Sequence, residues 1–232
     1  MAGIGIKLNK FFDKGTVTGY LAGSGYSVVT TIAPMLLVIA DILAMQKILG
    51  YSDAAYGSRQ LFQATILYIF VFALLASAPL NAVLSRYVSD VIFNETYSDI
   101  MAAFHLGLWI SMAIDAIMVV PFAIHEYIVG GVDIVYVVTS VCCFIALSLV
   151  FYTMLYLSLC KDYGKISLFY FIGMAITLGI SYIFVNKFNM EITYSMLLAM
   201  TIGFIIIASL GYALLSSILH RTVRIIKMCY NI

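Results

Sequence analysis

Acidic residues inside otherwise apolar runs are where this chain has chemistry to offer. Asp115 is the one Asp, Glu, Lys or Arg between Asp99 and Glu126. Counted from about Phe104 at 1.5 Å per residue, it lies roughly 16 Å along a helix, close to the middle of a bilayer core about 30 Å thick. A lone aspartate at that depth costs about 2.5–3.5 kcal/mol on insertion scales, so it needs a partner, water or a proton. Two readings follow. Asp115 is a cavity-lining acid that contacts substrate or carries a coupling proton, or it is a structural acid bonded to a Ser or Thr of a neighbouring helix. Asp41 stands among apolar neighbours nearer the far end of its run, where the structural reading leads and a cavity role is the alternative.

Other spacings carry weaker chemistry. Arg86 and Asp90 are four residues apart, one helical turn, and are expected to pair where a helix leaves the hydrocarbon; the sharper reading is a gate that opens with that contact. Tyr152 and Tyr156 lie one turn apart with Ser148 on the same stripe. They offer ring faces and hydroxyls to a sugar, or they pack helices with their hydroxyls satisfied. Gly173, Thr177 and Ser181 form a small-residue seam suited to close helix packing. His105 falls near an interface and is expected to be solvated. Tyr51, Tyr56, Tyr127 and Tyr163 fit an aromatic belt. The four cysteines, Cys142, Cys143, Cys160 and Cys229, show no CxxC and no metal-ligand spacing. No GxxxxGK[ST], HExxH or GxSxG motif occurs, so no catalytic residue, metal or cofactor is expected.

The elements that must hold these residues follow from composition. The chain of 232 residues is 64% hydrophobic and 10% charged, with a mean hydropathy of +1.08. Soluble domains carry about 25% charged residues. A chain this apolar takes the bilayer as its solvent. Its net charge of +1 leaves no nucleic-acid footprint.

Six spans are expected, at about 20–48, 61–85, 100–124, 134–160, 166–186 and 192–219, forming a bundle over residues 15–220. Pro34, Pro79 and Pro121 fall within three of them and favour bends. Residues 1–14 set Ile4, Leu8, Phe11 and Phe12 on one face and Lys7, Lys10 and Lys14 on another, as in a helix lying on the membrane surface. A basic tail follows at 221–232. Of the 12 Lys and Arg residues, Lys47, Arg59 and Lys187 fall on one side and the other nine on the opposite side. By the positive-inside rule both termini are cytoplasmic.

Three segments together resemble one family. MAGIGIKLNKFF at the start, GYSVVTTIAPMLL at Gly25–Leu37 and SAPLNAVLSRYVSD at Ser77–Asp90 are similar to the PelG family of the MOP flippase superfamily. The likeness is clearest over roughly the first 105 residues. It implies an all-α polytopic bundle equivalent to one lobe of a MOP-type transporter, set in the bacterial inner membrane. It also implies export of a nascent polysaccharide, with a cytoplasmic glycosyltransferase and other membrane export subunits as partners. Family members carry about twelve spans in two lobes, so a second six-helix lobe or self-association would complete the path. Two alternatives stand beside this reading. One is another MOP-type lobe that flips a lipid-linked saccharide or exports small molecules with ion coupling. The other is a non-transporting scaffold for a glycosyltransferase.

Overall fold

The computed structural model describes residues 34–93, 98–159 and 163–230, and these fold into helices without a strand among them. The first helix, α1, is described over residues 34–48. A 3-10 turn at Tyr51–Asp53 leads into α2 (Tyr56–Phe93), followed by α3 (Ser98–Ile128), α4 (Ile134–Leu159), α5 (Tyr163–Phe188) and α6 (Ile192–Tyr230). Five of these, α2 to α6, are long and apolar enough to cross a membrane. The expected first span is described only from residue 34 onward, and the expected surface helix at 1–14 lies outside the described residues.

Two helices outrun the expected spans. At 38 residues, α2 is about 57 Å long, and α6, at 39 residues, is about 58 Å. Both exceed a hydrocarbon core of about 30 Å. Helix α2 runs straight through the position of Pro79 to Phe93 without a break in assignment, although that residue supplies no backbone donor. Helix α6 continues to Tyr230, so the stretch after 219 extends the sixth helix; Gly and Pro are absent from it, and nothing local stops the helix.

The turns are specified locally. Gly50 ends α1 at φ 65°, and Gly131 takes φ 63° between α3 and α4, a left-handed conformation that glycine adopts at no steric cost. Asn189 does the same after α5 at φ 50°, and the Met190 N–H closes the helix end on the Phe184 carbonyl at 3.2 Å. Tyr51, expected in an aromatic belt, is instead buried. Its hydroxyl donates to the Arg59 carbonyl at 2.8 Å and its ring meets Phe62 edge-on. Burial lifts its phenol above the ordinary range, and the Arg59 charge pulls the other way.

Helix α4 is the hub, packed against α6, α2, α3 and α5. Its apolar residues join two clusters. The larger gathers Met45, Phe62, Phe144, Leu147, Met196 and Phe204. The smaller gathers Leu84, Val88, Phe104, Tyr152, Tyr156 and Leu215 at the other end of the bundle. The seam expected on α5 is present. The Gly173 carbonyl and the Thr177 side chain press on Gly203 of α6, and Gly173 leaves room for Ile207. Along α3, Leu106, Trp109 and Ile117 point outward. Water would not tolerate such a surface, whereas lipid requires it.

Candidate functional site at the middle of the bundle

On α2 and α3, buried polar residues fall between the members of the two apolar clusters, while the larger cluster runs past that level along α4 and α6. Asp115 and Ser111 of α3, Ser148 of α4 and Ser77 of α2 are all buried. The register that sets Leu84 against Gly107 and Tyr68 against Phe122 brings Ser77 level with Asp115. The Ser148 hydroxyl donates to Asp115 Oδ1 at 2.9 Å, while Asp115 Oδ2 has no hydrogen-bond partner among the described residues. The sequence left open whether a Ser or Thr would meet this acid; Ser148 does, for one of its two oxygens. The side chain is 1% exposed. A carboxylate can accept about four hydrogen bonds, so this one is far from satisfied. A carboxyl oxygen left without a partner in an apolar surround is costly to bury.

Asp41 is buried on the same face of α1 as Val38 and Met45, and neither carboxyl oxygen has a partner among the described residues. Asp41 and Asp115 are thus both buried acids, each with at least one carboxyl oxygen lacking a partner among the described residues.

Tyr152 and Tyr156 do not present open faces. They are 0% and 2% exposed, and Phe104 packs against both, with ring centroids at 5.3 and 4.9 Å. The Tyr152 hydroxyl donates to the Phe104 carbonyl at 2.7 Å. This packing fills the space a sugar ring would need and satisfies the Tyr152 hydroxyl, whereas the buried Tyr156 hydroxyl has no hydrogen-bond partner among the described residues. Gly107 makes the packing possible: a Cβ there would run into the Tyr152 hydroxyl. Nothing in the spacing marked Gly107, because its reason lies on another helix.

Arg86 and Asp90 are both exposed, and no ion pair joins them. The ion pair found among the described residues is His125–Glu126 at 3.8 Å. One-turn spacing permits a pair, but two exposed side chains gain too little to hold one geometry. His105 is exposed, with its ring against Phe104 and Tyr212. Cys142 and Cys143 are free thiols, the second buried.

One feature escaped the sequence reading. Helices α2, α3 and α4 enclose a cavity of about 310 Å³ at the end of the bundle where α3 turns into α4. Tyr68, Phe72 and Phe122 form an aromatic wall with centroids 5.9–6.0 Å apart. Tyr136 closes another side, its hydroxyl donating to Thr65 at 3.2 Å. The four-residue step from Tyr68 to Phe72 was a signal, but aromatic pairs inside spans are too common to mark a cavity.

With the fold and site in place, comparison with protein families gives one result. A model of the PelG family, described as an exopolysaccharide exporter (EPS-E), matches residues 1–227. The likeness clearest over roughly the first 105 residues therefore extends across nearly all of the chain. Comparison with curated proteins and with solved structures finds no match.

Proposed function

Because the chain belongs to the PelG family of exopolysaccharide exporters, we propose that it serves as a six-span membrane lobe forming one wall of the path by which a nascent polysaccharide leaves the cell. In this reading the membrane is the inner membrane and both termini are cytoplasmic. A cytoplasmic glycosyltransferase supplies the polymer, other membrane subunits complete the assembly, and a second six-helix bundle, from another polypeptide or a second copy, faces this one across the path. The chain itself makes and breaks no covalent bond.

The observation that carries the reading is the family match over residues 1–227. The site adds a role for one residue. Along α3, Asp115 lies at the boundary between the two apolar clusters, fixed through one oxygen by Ser148 and unsatisfied at the other. At 1% exposure it is closed to a sugar hydroxyl in this arrangement, so a proton suits it better than direct contact with the polymer. We therefore assign Asp115 as a coupling acid whose protonation state biases the packing of α3 on α4. Asp41 is a second candidate for the same chemistry on α1. The export complex with this chain deleted, then complemented by wild type or by Asp115→Asn, tests both parts. Deletion should abolish secreted polymer, and Asp115→Asn should lower it at least tenfold with the protein at its normal membrane level. Undiminished secretion from the deletion strain overturns the exporter reading. Full secretion by the Asn variant removes the acid from the mechanism.

A further inference from the structure

The cavity between α2, α3 and α4 differs in kind from the buried polar residues around Asp115. Its lining is almost wholly aliphatic and aromatic, and what polarity it has is concentrated at one end. Glu126 stands at that end, in the last turn of α3, half-buried and carrying one carboxylate oxygen 3.8 Å from His125 Nδ1. Gly130 leaves it room: a Cβ there would lie 2.9 Å from Glu126 Oε2. From Glu126 the cavity runs along α3 to Met118, eight residues or about 12 Å. That length approaches one leaflet, half of a core about 30 Å thick.

A slot parallel to the helices, greasy within and acidic at its interfacial end, has the dimensions of a stretch of one acyl chain and the polarity of a lipid's chain-to-headgroup junction. A sugar fits poorly. Ring hydroxyls buried there without partners would be destabilising, and three of the lining hydroxyls are already engaged: Thr65 with the Leu61 carbonyl, Tyr136 with Thr65, and Ser140 with the Val137 carbonyl at 2.7 Å. An acyl chain exchanges one apolar surround for another when it enters the slot from its own leaflet, so its burial there costs little. Tyr68 and Phe122 are half exposed on the rim, so the slot opens sideways to lipid. The charge at the mouth chooses the headgroup. Glu126 lines the mouth, and Asp133, seven residues on in the connection to α4, accepts from Tyr194 at 3.1 Å; no Lys or Arg lines the cavity. An anionic headgroup would meet like charge, whereas an ammonium gains a partner.

We propose that this cavity is a phospholipid site taking one acyl chain along α3, with an amine headgroup such as phosphatidylethanolamine held at Glu126. The site is independent of the exporter reading, since it rests on the slot alone.

The test uses the full chain in nanodiscs of equal phosphatidylethanolamine and phosphatidylglycerol, extracted for native mass spectrometry of the retained lipids. Wild type should keep about one lipid, phosphatidylethanolamine over phosphatidylglycerol by at least fivefold. Ala123→Phe, which fills the slot from α3, should keep none. Glu126→Gln should keep a lipid and lose the preference. If wild type retains the two lipids equally, or Glu126→Gln keeps the full preference, the headgroup assignment is overturned. If a monodisperse Ala123→Phe protein retains as much lipid as wild type, the cavity is not the site. Glu126→Gln sits at the surface and decides the matter even if the filled variant misfolds.

Discussion

Ser148 donates to Asp115 across the contact between α4 and α3, at 2.9 Å and 33 residues apart in sequence, and it satisfies only half of the carboxyl group. The pair has a stability side that can be separated from any role in transport. Ser148→Ala removes the donor and leaves the acid with no partner among the described residues. A buried polar group stripped of its partner costs about 1–3 kcal/mol, so the unfolding midpoint in detergent should fall. Asp115→Asn keeps an acceptor for Ser148 and removes a buried acid, so its midpoint should equal or exceed that of wild type. A drop for Asp115→Asn as large as that for Ser148→Ala would make the acid a structural residue and detach it from coupling.

Gly107 and Tyr152 make a sharper pair. A methyl group at 107 runs into the Tyr152 hydroxyl and comes within 3.0 Å of Leu84. Overpacking of this kind costs about 1–3 kcal/mol. Gly107→Ala should therefore destabilise, and should also break the bond from Tyr152 to the Phe104 carbonyl. Tyr152→Phe removes the oxygen that the methyl group strikes. The double variant should be more stable than the sum of the single losses predicts, a coupling of opposite sign to that of a lost contact. Strictly additive losses would show that the helices shift apart and that Tyr152 does not set their spacing.

How much of this was legible depended on whether a residue's reason lay on its own helix. The spans from α2 to α6 were readable because hydropathy and length are properties of one segment, and α5 matched its expected range to within a few residues for that reason. The seam of Gly173 and Thr177 was readable too, since small residues four apart mean close packing whatever the partner. Asp115 was visible as an anomaly, but its partner Ser148 was not, because the register of α3 on α4 is a tertiary fact. The spacing of Tyr152 and Tyr156 allowed stacking or packing, and the ring that packs on both, Phe104, lies on another helix. The cavity was invisible for the same reason: three helices diverge to make it, and none alone carries its shape.

Arg86 and Asp90 lead to an expectation of no effect. Both side chains are exposed and no ion pair joins them. Arg86→Ala and Asp90→Ala should each leave the unfolding midpoint of the purified chain unchanged within error. A gate built on their contact would instead make the charge-swapped double variant behave as wild type in secretion while both single variants fail. Equal secretion by all three removes the gate.

The expected topology can be read by labelling. The turns at 50–55, 129–133 and 189–191 fall on one side of the bundle, and the helix ends at Phe93, Ser98, Leu159 and Tyr163 on the other, because successive helices alternate in direction. With the native cysteines replaced by Ser or Ala, single cysteines at Ser52, Val129 and Met190 should react with an impermeant maleimide from outside intact cells. Cysteines at Lys161 and Asn231 should react only after the membrane is opened. The charge bias predicts this direction, since the expected spans leave Lys47, Arg59 and Lys187 on the first side and assign the remaining nine of the 12 basic residues to the second. Labelling at Lys161 from outside would invert the bundle. It would then place Glu126 and the mouth of the lipid slot in the cytoplasmic leaflet, and the polymer would have to enter the lobe from the end now taken as its exit.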